Sequence, residues 1–199
     1  MGEKSAHKRK YILEKAREVF ACKGFKEVTM KDIVDACEIS RGGLYLYFSS
    51  TDELFLAVLA DDNSEDDEEA VVAALSGDAS AGDMLALFLK EQKKAILKKK
   101  NNLTVATYEY FYQHKVSGQE NPLKNQFDTA VRIVEKLIEN GTENGEFYCE
   151  NPIGCARNLM YVIEGLKVTS GTIGVSEEAI DRELMYVLGG LVPDELNNR

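Results

Sequence analysis

The stretch TMKDIVDACEISRGGLYLYF, residues 29–48, leaves the chain few options. Thr29 is followed three residues later by Asp32, a near capping box, so a helix is predicted to begin at Met30. Ile33, Val34 and Ala36 supply its apolar positions, and it ends at Cys37. Residues 38–40 leave room only for a turn. A further short helix then runs from Ser40 or Arg41 to Phe48, with Leu44 and Phe48 four apart on one face. Gly42 and Gly43 stand near its start, although each costs about 1 kcal/mol relative to alanine within a helix. Glycine there suits a backbone that must approach another molecule closely.

The flanks fit the same plan. A first helix is expected over Ser5–Lys23, with Ile12, Leu13, Ala16, Val19 and Phe20 as its apolar face. Gly24 is a suitable left-handed stop, after which Phe25 folds back onto the core. Ser50 and Glu53 form a capping box that opens a fourth helix through Leu54, Phe55, Val58 and Leu59. Helix, short helix, three-residue turn and short helix is the helix-turn-helix layout, in which the second helix braces and the third enters the major groove. On this reading Arg41 is the base reader, through a bidentate contact to guanine. Ser40 and Thr29 offer hydroxyls to phosphate, and Gly42 and Gly43 admit the DNA backbone. Tyr45 and Tyr47 either reach the DNA or pack as core aromatics.

Residues 9–59 resemble the N-terminal DNA-binding domain of the TetR/AcrR family of repressors. The resemblance rests on Ala16, Phe20, Gly24, Phe25, Thr29, Ile33, Ala36, Ser40, Gly42, Leu44, Tyr45, Tyr47, Phe48 and the Glu53–Leu54 pair. Three positions depart from the family pattern. Glu38 replaces the usual glycine of the turn, Gly43 a common threonine or polar residue, and Thr51 a common phosphate-binding lysine. The last two remove phosphate donors, and each lost phosphate charge lowers the salt slope of binding by about one unit. The basic start of the chain, with Lys4, Lys8, Arg9 and Lys10, either reaches DNA in compensation or is a solvated arm.

The rest of the chain reads as helices too. SGDASAG at 76–82 is a loop, and helices follow over 83–100 and 103–116. Asn121-Pro122 and Asn151-Pro152 each pair a cap with proline at the first helical position, opening helices over 122–140 and 152–170. Ser176 starts the last one. Apolar periodicity and only three prolines among 199 residues make the expected fold all-α. It divides into a helix-turn-helix domain over residues 1–50 and a larger helical ligand-binding and dimerisation domain over 51–199. The segments IENGTENGEF, ENPIGCARNLMYVIEGL and SEEAIDRELMYVLGGL resemble the family's last two helices and the turn before them.

That resemblance implies an effector cavity and a two-fold dimer. Met84, Phe88, Tyr108, Phe111, Tyr112, Phe127, Met160, Tyr161 and Glu164 are material for an aromatic pocket suited to an apolar or cationic ligand, or else core packing. Ala156, Leu159, Ile163 and Leu166 form one stripe and Ile180, Leu184, Val187 and Leu191 another. These would pack as a four-helix bundle between two chains, or within one chain.

Charge and composition narrow the function. The net charge is −10, but residues 1–58 hold 10 Lys/Arg and 9 Asp/Glu, net +1, and residues 59–199 hold 14 and 25, net −11. A chain acidic overall can bind DNA when its cations gather on one face. The acidic run DDNSEDDEEA at 61–70 lacks the glycine and glutamate positions of an EF-hand and reads as a solvated charge run. The five lysines over 93–100 read as a second basic patch or, better, as a solvated helix end matched to the helix dipole. The cysteines at 22, 37, 149 and 155 have no C-x-x-C spacing and are expected to be small buried hydrophobes with free thiols. No motif of a hydrolase, nucleotide-binding loop or dinucleotide fold is present, so an enzyme, a cofactor and a metal are not expected. With no apolar leader, no run of about 18 apolar residues and no myristoylation pattern, a cytoplasmic protein is expected. The partners are double-stranded DNA, an unknown small-molecule effector and a second copy of the chain, with no membrane. The function expected is a ligand-responsive repressor; the alternative is a helical scaffold dimer that has lost operator binding.

Overall fold

The computed structural model describes residues 2–62, 79–100, 102–118 and 121–191. The acidic run beyond residue 62 and the loop over 76–78 lie outside the described residues. All regular structure among the described residues is helical. The chain forms two compact units that do not follow sequence order. One contains residues 2–62 and 99–115, the other residues 79–98 and 116–191.

The first unit is built on α1 (Gly2–Lys23), α2 (Met30–Cys37), α3 (Arg41–Tyr45), α4 (Thr51–Asp62) and α6 (Thr104–Gln113). Ile12, Leu13, Ala16 and Phe20 turn one face of α1 inward. Gly24 stops the helix with φ +76°, and its N–H donates to the Phe20 carbonyl at 2.9 Å. Phe25 folds back beside Phe20, Phe55 and Tyr110, ring centroids 4.8–6.1 Å apart. Each such buried ring contributes about 1.5–3 kcal/mol. The capping box at the start of α2 is closed. The Thr29 hydroxyl oxygen accepts from the Asp32 N–H at 3.3 Å, and the Asp32 carboxylate accepts from the Thr29 N–H at 2.8 Å. Lys23 also reaches Asp32 at 2.6 Å. That hydrogen bond, then those from Thr29, hold the Asp32 carboxyl well below the usual carboxylate range. A carboxylate with a lowered folded-state pKa stabilises the fold above that range, and the contribution is lost as pH falls through it. At α4 the Ser50 hydroxyl accepts from the Glu53 N–H as expected. The Glu53 carboxylate, however, closes on the N–H and hydroxyl of Ser49 rather than on Ser50.

The second unit contains α5 (Ala81–Leu97), α7 (Pro122–Glu143), α8 (Pro152–Thr172), α9 (Glu177–Leu188) and a closing 3-10 turn (Gly189–Leu191). Ser80, Asn121, Asn151 and Ser176 cap the four helices through their side-chain oxygens. Phe147 packs on Gly141, where a Cβ would stand 2.2 Å from the ring. Helix α5 ends at Leu97, so Lys98–Lys100 follow the helix rather than finish it.

Three expectations need correction. Helix α6 belongs to the first unit, so that unit does not end near residue 50. The two stripes assigned to a dimer are core of a single chain. Ala156, Leu159, Leu166, Ile163, Ile180, Leu184 and Leu191 are buried together, with Val187 packed against them. A side chain with almost no accessible surface in one chain has none to offer another. Among the cysteines only Cys37 is buried, whereas Cys22 is exposed. Cys149 and Cys155 are half-buried, and burial pushes the Cys155 thiol up to about 11, so it stays protonated at neutral pH.

Glu38 closes α2 at φ 53°, the left-handed conformation that glycine adopts freely and other residues adopt at about 1–2 kcal/mol. Glu38→Gly should therefore raise stability by about 1 kcal/mol, allowing for the extra freedom of glycine in the unfolded chain. Urea denaturation should show a higher midpoint with an unchanged slope.

Candidate nucleic-acid interface

Helix α3 has five residues and two faces of opposite character. Leu44 is fully buried and Phe48, in the turn that follows, is 2% exposed. Fixing these two side chains turns Arg41, Gly42, Tyr45 and Leu46 outward. Arg41 lies over the Tyr45 ring, 5.4 Å from its centroid, which holds the guanidinium on the outer face. Tyr45 is 42% exposed and so is not a core aromatic. Tyr47 is half-buried and packs against the core, with its hydroxyl 3.5 Å from that of Ser5.

The Ser40 side chain caps α3 by accepting from the Gly43 N–H at 3.1 Å, a bond that does not use its hydroxyl proton. A Cβ at Gly43 would stand 3.2 Å from the Ser40 hydroxyl, whereas one at Gly42 would meet nothing within 4 Å. Gly43 thus serves the cap, and Gly42 leaves open space. Thr29 is differently placed from expectation. Its hydroxyl donates to Asp32 at 2.6 Å, so that proton is already used and is not offered to a phosphate.

One contributor was missed in the sequence. Leu46 is 84% exposed, a large apolar side chain one helical turn after Gly42 on the outer face. Its spacing from Gly42 was the available signal. The basic start of the chain, expected either to reach DNA or to be a solvated arm, forms the first turns of α1 and lies beside α3. The Lys8 ammonium lies 4.0 Å from where a Gly43 Cβ would be, and the Arg9 guanidinium covers the Phe48 ring at 5.2 Å.

The nine residues expected to line an effector pocket are divided between the two units. Tyr108, Phe111 and Tyr112 lie on α6 in the first unit, where Phe111 packs against the core and Tyr112 is exposed. Met84 and Met160 are buried, Phe88 and Phe127 pack on the core of the second unit, Tyr161 is exposed beside Phe127, and Glu164 pairs with Lys167 at 2.8 Å. A cavity of about 610 Å³ in the second unit is lined instead by α5, α9 and the turn at Glu146–Phe147, and none of the nine borders it. Met84 and Phe88 point into the core, and the neighbouring face of α5 looks into the cavity. Among the described residues no cluster of three His, Cys, Asp or Glu could hold a metal ion, and no helix is long and apolar enough to cross a membrane.

A capped short helix, braced by a second and presenting arginine, tyrosine and leucine outward, defines a helix-turn-helix DNA-binding protein. Residues 12–58 match the family model for bacterial regulatory proteins of the tetR family, and residues 84–181 match that for a tetracyclin repressor-like C-terminal domain. The chain belongs to the TetR family of transcriptional regulators. It is 29% identical over 143 residues to the uncharacterised HTH-type transcriptional regulator YfiR of Bacillus subtilis, covering 71% of this chain and 69% of that one. It is 24% identical over 150 residues to the HTH-type transcriptional regulator QacR of Staphylococcus aureus, covering 74% and 77%. A TetR transcription regulator from Haloarcula marismortui shares the fold at TM-score 0.78 and 17% identity, covering 94% of this chain and all of that one.

Two further contacts brace the helix-turn-helix from behind. The Glu109 carboxylate on α6 accepts from the backbone N–H groups of Phe25 and Lys26 at 2.7 and 3.1 Å, and His114 reaches Asp52 on α4 at 2.7 Å. Gly24 leaves room for this carboxylate, since a Cβ there would stand 2.6 Å from it. Glu109→Ala should lower stability by about 2 kcal/mol, because two hydrogen bonds to a charged acceptor are lost. Equilibrium unfolding followed by circular dichroism measures this directly.

Proposed function

We propose that the protein is a repressor that binds a palindromic operator as a homodimer and is released by a small molecule. The outward face of α3 carries this reading. Arg41 supplies the paired donors that match guanine, and Leu46 with Tyr45 supplies apolar contact for a thymine methyl. Gly42 lets the backbone come close. Two such helices related by a two-fold axis read inverted half-sites. The dimer draws on the outer faces of α8 and α9. Tyr161, Gly165 and Val168 fall at successive turns of α8, with Tyr161 65% and Val168 41% exposed, and Tyr186 is exposed on α9. An effector releases DNA by binding better to the dimer geometry whose recognition helices no longer match successive major grooves.

Selection of genomic fragments by the purified protein should enrich an inverted repeat, and fluorescence anisotropy on that site gives the affinity. Arg41→Ala should cost about 1–3 kcal/mol and relax one base position in each half-site. Gly42→Ala separates fold from function. It should raise stability by about 1 kcal/mol through helix propensity, while weakening operator binding because the methyl group fills the space left open. No enriched repeat from a folded dimer would sink operator reading and favour the scaffold alternative. For the dimer, Gly165→Arg is the sharper variant, since a side chain there meets only open space within one chain. Sedimentation should show a folded monomer; a dimer of unchanged affinity would place the interface elsewhere.

A further inference from the structure

The cavity of the second unit has a charge pattern that selects its ligand. Its walls are apolar, formed by Leu85, Leu89, Phe147, Leu184, Met185 and Leu188 among others. Four charged residues border it: Lys90, Lys93, Glu146 and Asp181. Three of the four are already matched. Lys93 sits between Asp181 at 2.7 Å and Glu177 at 2.9 Å. The Glu146 carboxylate accepts from the N–H groups of Ala81 and Gly82 at 3.2 and 2.9 Å, which places it on the positive end of α5. Lys90, one turn before Lys93, is exposed at the rim and has no ion pair among the described residues.

We propose that this cavity binds an amphiphilic anion, an apolar chain of middle length ending in a carboxylate or similar head. The chain lies against the leucines and Phe147, and the head pairs with Lys90. Lysine suits a rim, because its apolar stem packs along the wall while the ammonium stays at the water boundary. The volume falls within the range of sites that bury most of a small ligand. A cationic ligand is disfavoured here, since it would have to displace Lys93 from Asp181 or the α5 backbone from Glu146. The head group is thus anionic, whereas the aromatic residues of the expected pocket suited an apolar or cationic ligand. As an effector site the cavity rests on the regulatory reading above; as a binding site it does not.

Isothermal titration of the full chain with hexanoate, octanoate and decanoate tests the proposal, with octanol and octyltrimethylammonium as neutral and cationic probes of matched length. Affinity should rise about four-fold per added methylene. Octanoate should bind more tightly than octanol, and octyltrimethylammonium should bind most weakly. Lys90→Gln should weaken octanoate about five-fold, the worth of an exposed ion pair, and leave octanol unchanged. Ala86→Trp, at an exposed position on the cavity wall, should abolish binding of all three carboxylates without lowering the melting temperature. Equal or tighter binding of the cationic probe, binding indifferent to both substitutions, or no binding to the folded wild type would overturn the proposal. So would a loss of self-association in Ala86→Trp, which would make a second copy the occupant. Decanoate that binds in the expected pattern but leaves operator affinity unchanged at saturation would refute ligand release alone, and the cavity assignment would stand.

Discussion

Helix α3 is far too short to be stable by itself, since isolated helices under about 12 residues are marginal in water. What holds it is the burial of Leu44 and Phe48, two side chains almost without exposed surface, against the core of α1, α2 and α4. That burial also fixes rotation. With positions 44 and 48 inward, the helical repeat has no choice but to turn 41, 42, 45 and 46 outward. The outward face can then be chosen for an external partner, because among the described residues it stays exposed. The Ser40 cap and the stack of Arg41 on Tyr45 order the outer groups further at little cost, and they pre-position the guanidinium before any ligand arrives.

The same unit is closed by a helix that comes late in the sequence. Helix α6 packs in the first unit although its neighbours on both sides in sequence, α5 and α7, belong to the second. Tyr110 enters the aromatic cluster, and Glu109 ties the turn after α1 by its backbone rather than by its side chains. A backbone anchor of this kind constrains the direction in which the chain leaves Gly24, and hence where α2 begins. The Thr29–Asp32 box and the Lys23–Asp32 pair then set the start of α2 independently. The positions of α2 and α3 are thus determined twice, once by capping chemistry within the segment and once by a distant carboxylate.

What could be read from the sequence was the part governed by local rules. Gly24, Thr29, Ser40, Asn121, Asn151 and Ser176 each act on groups within four residues, so their types and spacing are sufficient evidence. The limits of α2 and the start of α3 followed from them. Periodicity also gave the apolar faces of α8 and α9 correctly, but it is silent about what covers a face. Leu159 and Ile163 are as apolar at the boundary between two chains as they are in the core of one. The place of Tyr108, Phe111 and Tyr112 was illegible for the same reason. Their rings suit a pocket wall, yet the helix is drawn into the first unit by Phe25 and Phe55, more than fifty residues away in sequence. Glu53 shows the finer limit, because Ser50 fits the box spacing and does cap the helix, yet the carboxylate closes on Ser49 one residue further back, which only the backbone path decides.

The losses at Gly43 and Thr51 have a structural counterpart that no local rule contains. A side chain at position 43 would press on the Ser40 hydroxyl that caps the helix, so a residue there that donates to phosphate would compete with the cap itself. Glycine relieves that competition but leaves the start of α3 without a charge of its own beyond Arg41. Lys8 brings an ammonium group to this place from α1, and Arg9 anchors the same turn of α1 on Phe48. The positive potential around the recognition helix is therefore assembled from two helices. One of them contributes charge without occupying the outward positions of α3, and this leaves Gly42, Tyr45 and Leu46 exposed. An acidic chain can in this way keep a basic face of a few residues, because the field that matters to a phosphate within one Debye length, about 8 Å at physiological salt, is set by neighbours and not by the net charge of −10.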